Sequence, residues 1–218
     1  MPPCSFGFRP YSSASRVRCF SVRRLGRHRR ARRARRAAAL AAGISVPGIS
    51  TYRELTGVDD LDHVLLNRFM LGGRGLDHRD LALSPEEVNC MLEVAEEVLA
   101  KAGKYGHVGT ELPRCIIREP DRYVHLQVST MCGAAKSFFG IDPSGWVKTC
   151  NHSERRIVYY SEIDKLDADA YWTSFRNRNY RPVMCDGCNE AGCCDGGCRE
   201  AAAICGGSIY AADPCFAV

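Results

Sequence analysis

No stretch of the 218 residues approaches the ~20 consecutive apolar residues of a membrane-spanning helix, so nothing in the sequence reads as a span. Acid is missing from the start: residues 1–36 contain twelve arginines and neither Asp nor Glu. The net charge of +5 is therefore misleading. Of the 30 Lys and Arg, 18 remain beyond residue 36 against 25 acidic residues, a net of −7 with His neutral. A convincing export signal is also lacking, because the apolar stretch after the paired arginines, Ala37 to Gly43, is short and weak for a hydrophobic signal core. Gly72-Gly73-Arg74-Gly75 lacks the Lys-Ser/Thr or the spaced glycines of a phosphate-binding fingerprint and reads as a turn.

The basic stretch, residues 1–42, is a separate object. Phosphate neutralisation by arginine would suit nucleic acid. An acid-free, Arg- and Ser-rich start also suits a transit peptide, and its double arginines a twin-arginine signal. An arginine-rich start that is not selected protein fits as well. The expectation is a disordered or artefactual tail rather than a nucleic-acid binder, because like charges repel and little apolar surface is on offer.

What the chain has in abundance is cysteine. Five of its thirteen cysteines fall between Cys185 and Cys198, in the run Cys185-Asp-Gly-Cys188-Asn-Glu-Ala-Gly-Cys193-Cys194-Asp-Gly-Gly-Cys198. A core uses cysteine as a small apolar filler among aliphatic residues. Here the neighbours are glycines and acids, which let a chain wrap a compact ligand and aim backbone N–H groups at sulfur. Cys-x2-Cys-x5-Cys-x3-Cys on 185, 188, 194 and 198 has the compactness of an iron–sulfur segment. A disulfide scaffold is a poorer account, since the number is odd and no secretory signal stands out. A zinc ribbon uses Cys-x2-Cys pairs too, but it leaves Cys132, Cys150 and Cys215 unexplained.

Those three complete a longer pattern. Cys132 is followed by twelve residues, Gly145, four residues and Cys150, while sixteen residues separate Cys198 from Cys215. Cys-x(9–15)-Gly-x4-Cys, a gap, Cys-x2-Cys-x5-Cys-x3-Cys, a gap and a final Cys resembles the SPASM domain over residues 113–218. That domain is the C-terminal auxiliary iron–sulfur extension of many radical S-adenosylmethionine enzymes that modify peptides or proteins. The resemblance implies two [4Fe–4S] clusters. The first would take Cys132, Cys150 and Cys198, with Cys115 available as its fourth ligand unless that iron is open to substrate. The second would take Cys185, Cys188, Cys194 and Cys215. Cys193 and Cys205 fall off the pattern, and His152 is a candidate supporting group or replacement ligand. A folded iron–sulfur protein in the cytosol accounts for these cysteines better than an exported one.

Upstream, residues 43–112 give thinner signals. Thr51-Tyr-Arg-Glu54 has the form of a capping box. Val64–Met70 reads as a short buried strand, ended by the glycine-rich turn. Ser84-Pro85-Glu86-Glu87 opens a helix with an N-cap serine, a first-turn proline and two acids. Its apolar face is Val88, Met91, Leu92, Ala95, Val98 and Leu99, and Gly103 ends it. Cys90 in this helix reads as a packed thiol. The βα unit resembles the last part of a radical S-adenosylmethionine barrel, so the expected class is α+β: a remnant of a partial TIM-type barrel, then a small cysteine-rich domain.

That domain is expected to hold a β-hairpin through Asp142-Pro-Ser-Gly145 and a helix over 164–172. Trp172, Phe175 and Tyr180 would fill its core. The family's catalytic Cys-x3-Cys-x2-Cys loop is absent; Cys4 and Cys19 stand alone. S-adenosylmethionine therefore belongs to a complete enzyme or a separate catalytic chain. The expected partners are a peptide or protein substrate and, for a split enzyme, that chain. A non-catalytic electron-transfer or zinc-binding module is the alternative.

Overall fold

The computed structural model describes residues 63–216. The arginine-rich stretch and the Thr51–Glu54 pattern lie outside them. Helix and sheet are mixed, as expected for an α+β chain. No helix among the described residues is long and apolar enough to cross a membrane.

The first layer is built around one amphipathic helix. Strand β1 (His63–Leu66) leads through a 3₁₀ segment, Gly73–Leu81, to α1 (Pro85–Ala102). The capping box forms at its start: the Ser84 hydroxyl accepts from the Glu87 N–H, and the Glu87 carboxylate accepts from the Ser84 N–H. Gly103, left-handed, ends it as the sequence predicts. The helix then returns the chain to β2 (Tyr105–Val108), which lies parallel to β1, and β3 (Leu126–Val128) adds parallel to β2. The sheet order is β1-β2-β3. The predicted helix face packs on it, with Leu92 and Leu99 sealed against Val64, Val108, Leu112 and Leu126. The strand predicted over 64–70 stops at Leu66, and two strands join it that the sequence reading did not foresee.

Two polar side chains of α1 anchor loops on this layer. Asn89, buried, donates to the carbonyls of Pro85 and Ile116 and accepts from the Arg118 N–H. Glu96 accepts from the backbone N–H groups of Val124, His125 and Leu126, and from the His125 ring. Asn89 thus fixes the residues that follow Cys115, and Glu96 fixes the entry to β3.

Beyond β3 the chain is mostly loop. The predicted hairpin is present, with β4 (Gly140–Ile141) antiparallel to β5 (Val147–Lys148). Its Asp142 carboxylate accepts from the N–H groups of Ser144 and Trp146. Gly145 sits at φ +86°, and a Cβ there would meet the Tyr159 ring at 2.6 Å, so both conformation and space call for glycine. The helix expected over 164–172 is instead a 3₁₀ stretch, Tyr160–Ala168, followed by α2 (Ala170–Arg176). Asp169 breaks the two apart, because its side chain caps the Trp172 N–H and its own backbone is extended. Trp172, Phe175 and Tyr180 do fill the second core, together with Cys132, Cys150, Val147 and Ile209. The last helix, α3 (Arg199–Gly206), follows the cysteine run directly.

Candidate metal centre

The eight patterned cysteines fall into two environments. Cys132, Cys150, Cys198 and Cys215 are buried, whereas Cys115 and Cys188 are exposed and Cys185 and Cys194 half-buried.

A buried polar frame holds the first four. Asp195 accepts from the Cys132 N–H at 2.6 Å and from the Tyr180 hydroxyl at 3.0 Å. Glu200 accepts from the hydroxyls of Thr149, beside Cys150, and Tyr171. Asp213, fully buried, accepts from the Cys198 N–H at 2.7 Å and the Cys215 N–H at 2.9 Å. Its carboxylate is gripped by both terminal nitrogens of Arg68, from the loop after β1, at 2.7 and 2.5 Å. Arg199, with no exposed surface, donates to the carbonyls of Gly196, Gly197, Ile209 and Ala211, tying the cysteine loop to the C-terminal segment. Gly197 stands at φ +91°, where a Cβ would strike the Asp213 carboxylate at 2.4 Å.

Burial dominates the acidity of these thiols. It pushes Cys150 up to about 11, helped by the Glu200 charge and offset by the backbone N–H groups of His152 and Ser153. Cys132 is raised further by burial, then by Glu111, Cys198 and Cys150, while the Ala134 N–H, 3.4 Å from its sulfur, works the other way. Burial also raises Cys198, with Glu111 and Cys150 adding to it and Arg68 opposing. Cys215 is raised by burial and Asp213, and Arg68 again opposes. Neutral, these are inert packed thiols. Ionised, they would be four anions facing amide N–H groups and one arginine, a donor set suited to a thiolate-bound metal.

The other four lie around the glycine-rich loop. The Cys194 sulfur accepts from the N–H groups of Gly196 at 3.2 Å and Arg114 at 3.3 Å. Arg114 also forms an ion pair with Glu190 at 2.8 Å. Burial and then Cys194 raise the pKa of both Cys115 and Cys185. Cys193 turns away to Glu190, and Cys205 donates to the Leu71 carbonyl. Cys90, half-buried on α1, stands apart from both groups. His152 is exposed.

Among the described residues, no three Cys, His, Asp or Glu side chains converge tightly enough to grip one ion. Four thiolates on a single zinc would stand about 3.8 Å apart, from a Zn–S bond of ~2.3 Å in a tetrahedron. A cube of four irons takes each thiolate at a different corner and so wants them further apart. One further feature suits such a guest: Arg68 Nε is buried with no hydrogen-bond partner among the described residues, within range of the Cys198 and Cys215 charges.

The residues of the frame were not identified from sequence. Arg68 lies there within a predicted strand, and none of Arg68, Asp195, Arg199, Glu200 and Asp213 stands out as a site residue. Their one signal is position, since Asp195 follows Cys194, Arg199 and Glu200 follow Cys198, and Asp213 lies two residues before Cys215. Comparison with family models, with curated proteins and with solved structures gives no match to the chain.

Proposed function

We propose that residues 113–218 are an auxiliary iron–sulfur domain of the SPASM kind, serving a radical S-adenosylmethionine enzyme that modifies a peptide or protein. Two [4Fe–4S] clusters would be held by Cys115, Cys132, Cys150, Cys185, Cys188, Cys194, Cys198 and Cys215. The layer of β1, α1, β2 and β3 would belong to a partial barrel, and the cytosol is the expected location. The observation that supports this reading is the burial of Cys132, Cys150, Cys198 and Cys215 beside a polar frame, with backbone N–H groups at the sulfurs of Cys132 and Cys194. Bound there, such a cluster supplies one-electron exchange or an iron that can meet substrate. The chain's own residues supply the setting: Asp195 and Asp213 hold the ligand backbone, Glu200 holds the hydroxyls of Thr149 and Tyr171 beside it, and Arg68 and Arg199 balance the thiolate charge.

A second reading, a non-catalytic electron-transfer module, is favoured by the absence of Cys-x3-Cys-x2-Cys. Anaerobic reconstitution decides between iron–sulfur and zinc. The expected result is about eight irons and eight acid-labile sulfides per chain, and stoichiometric zinc without sulfide overturns the proposal. Under strong reductant the reconstituted chain alone should form no 5′-deoxyadenosine from S-adenosylmethionine. Such a product would show a catalytic cluster in this chain and contradict its auxiliary role.

A further inference from the structure

An exposed strand edge is a template for pairing with another chain, and folded proteins guard it with charge, proline or a covering group. The β3 edge is guarded in this way: the Glu96 carboxylate accepts from the N–H groups of Val124, His125 and Leu126 where the strand begins. In the cysteine-rich part, β5 is flanked on both sides. One neighbour is β4, and the other is the segment 157–160, where Val147 donates to the Val158 carbonyl and accepts from the Ile157 N–H. That outer segment is preceded by Arg155 and Arg156, both exposed.

The β4 edge carries no such guard. The run Ser137-Phe138-Phe139-Gly140-Ile141 contains neither charge nor proline. Phe138, Phe139 and Ile141 are 46%, 43% and 53% exposed. The ladder fixes where the backbone of this run points. Asp142 donates to the Trp146 carbonyl, so Asp142, and with it Gly140 opposite Lys148, are the residues that bond to β5. Ile141 stands opposite Val147, whose own N–H and carbonyl are given to Val158 and Ile157. The N–H and carbonyl groups of Ile141, and of Phe139 before it in the same alternation, therefore face away from the hairpin. Their complement is another extended backbone. The two side chains share one face of the strand, and the Phe139 ring meets the buried Trp172 edge-on at 6.1 Å. A Cβ on Gly140 would lie 3.3 Å from the Cys150 carbonyl, so the edge runs beside the buried thiol group.

Resting on the reading that the substrate is a peptide or protein, we propose that β4 is its docking edge. An extended segment of the substrate adds to β4 as a further strand, bonded to the backbone of Phe139 and Ile141. Apolar side chains at alternate positions of that segment lie against Phe139 and Ile141, the pattern by which strand addition gains selectivity. A second copy of the chain fits less well, because so short an edge covers little of the ~1,000 Å² that a stable interface needs.

The test uses the full chain, metal-free and after anaerobic reconstitution. The probe is a fluorescein-labelled peptide alternating valine and threonine, with a lysine at each end. Fluorescence anisotropy should show saturable binding to both forms, and no binding at millimolar peptide overturns the proposal. Two twins of the peptide are N-methylated, one at its valines and one at its threonines. Only alternate residues of an added strand face the edge, so one twin should bind at least about tenfold more weakly than the other, the loss of two hydrogen bonds. Equal affinities for the twins overturn strand addition. Hydrogen exchange on the wild-type chain locates the site without any variant: the peptide should slow exchange at Phe139 and Ile141. Protection at 157–160 or along β3 instead overturns the placement. Ile141→Lys puts a charge on the edge and should weaken binding at least about tenfold with an unchanged denaturation midpoint. A chain that is a dimer by light scattering, and that Ile141→Lys makes monomeric, overturns the choice of occupant. A chain that binds the peptide but takes up no iron and sulfide keeps the docking edge and defeats the enzyme reading. A reconstituted chain that ignores the peptide defeats the edge alone.

Discussion

Around α1 the interior is made of Val88, Met91, Leu92, Ala95, Val98 and Leu99 packed on Val64, Val108 and Leu126, while beyond β3 the largest fully buried side chain is Arg199. The two regions close their interiors by different physics. Apolar burial in the first is non-directional and needs no outside component. In the second, Asp195, Asp213, Arg68, Arg199 and Glu200 are buried with their hydrogen bonds largely met, and Asp195 and Asp213 hold the backbone of Cys132, Cys198 and Cys215. A frame of this kind is directional and costly to build, and much of its value lies in what it positions. The comparison teaches that the sheet layer is closed by apolar packing, and that the cysteine-rich part is laid out by a polar frame around its thiols.

The largest single effect should come from cutting the frame. Asp213→Ala leaves Arg68 buried without its partner, and loss of one member of such a pair costs about 3–5 kcal/mol. The loss should appear both as a lower denaturation midpoint and as less iron and sulfide per chain after anaerobic reconstitution. Next comes the apolar side of the comparison. Leu92, fully buried, should cost about 2–5 kcal/mol as Leu92→Ala. Iron and sulfide per folded chain should stay at the wild-type level, since nothing in the thiol frame touches Leu92. If the two variants lose iron equally, the contrast between the regions is false.

A smaller effect sharpens the picture with pH. Burial alone would raise the Glu96 carboxyl, but the His125 ring and the N–H groups of His125, Leu126 and Val124 outweigh it and leave its pKa below the ordinary range. Its contribution is therefore fully present above the unfolded value of ~4.3 and is lost as pH falls through the lower folded value. Glu96→Gln should destabilise the sheet layer by about 1–3 kcal/mol at neutral pH. The gap to wild type should narrow on acidification, which urea titrations at several pH values would measure.

How much of this could be read from the sequence divides along the same line. The Ser84 and Glu87 capping box, the Gly103 stop and the turn at Gly145 are local: each is decided within a few residues, and each forms as read. Strands β2 and β3 escaped because Tyr-Gly-His-Val and Leu-Gln-Val are too short to show a period, and only pairing, β2 with β1 and β3 with β2, makes them strands. The helix expected over 164–172 failed at Asp169, where a residue that looks like an ordinary polar position acts as a cap. For the candidate site, the cysteines themselves were legible as a pattern. Their supporting residues were not, because whether Arg199 or Asp213 is surface charge or buried frame depends on which loops meet over it. Sequence spacing also gives no hint that Asp213 holds the backbone of Cys198 and Cys215 alike, across α3.

Amide hydrogen exchange, compared between the metal-free and the anaerobically reconstituted chain, tests the central claim most directly. If thiol ligation completes only the cysteine-rich part, protection should rise across residues 130–216, most in the Cys185–Cys198 loop and around Cys215. It should stay unchanged in α1 and in β1 and β2, whose stability is already met by apolar burial. Protection gained equally over both regions, or no gain beyond residue 130 in a chain that has taken up iron and sulfide, would contradict it.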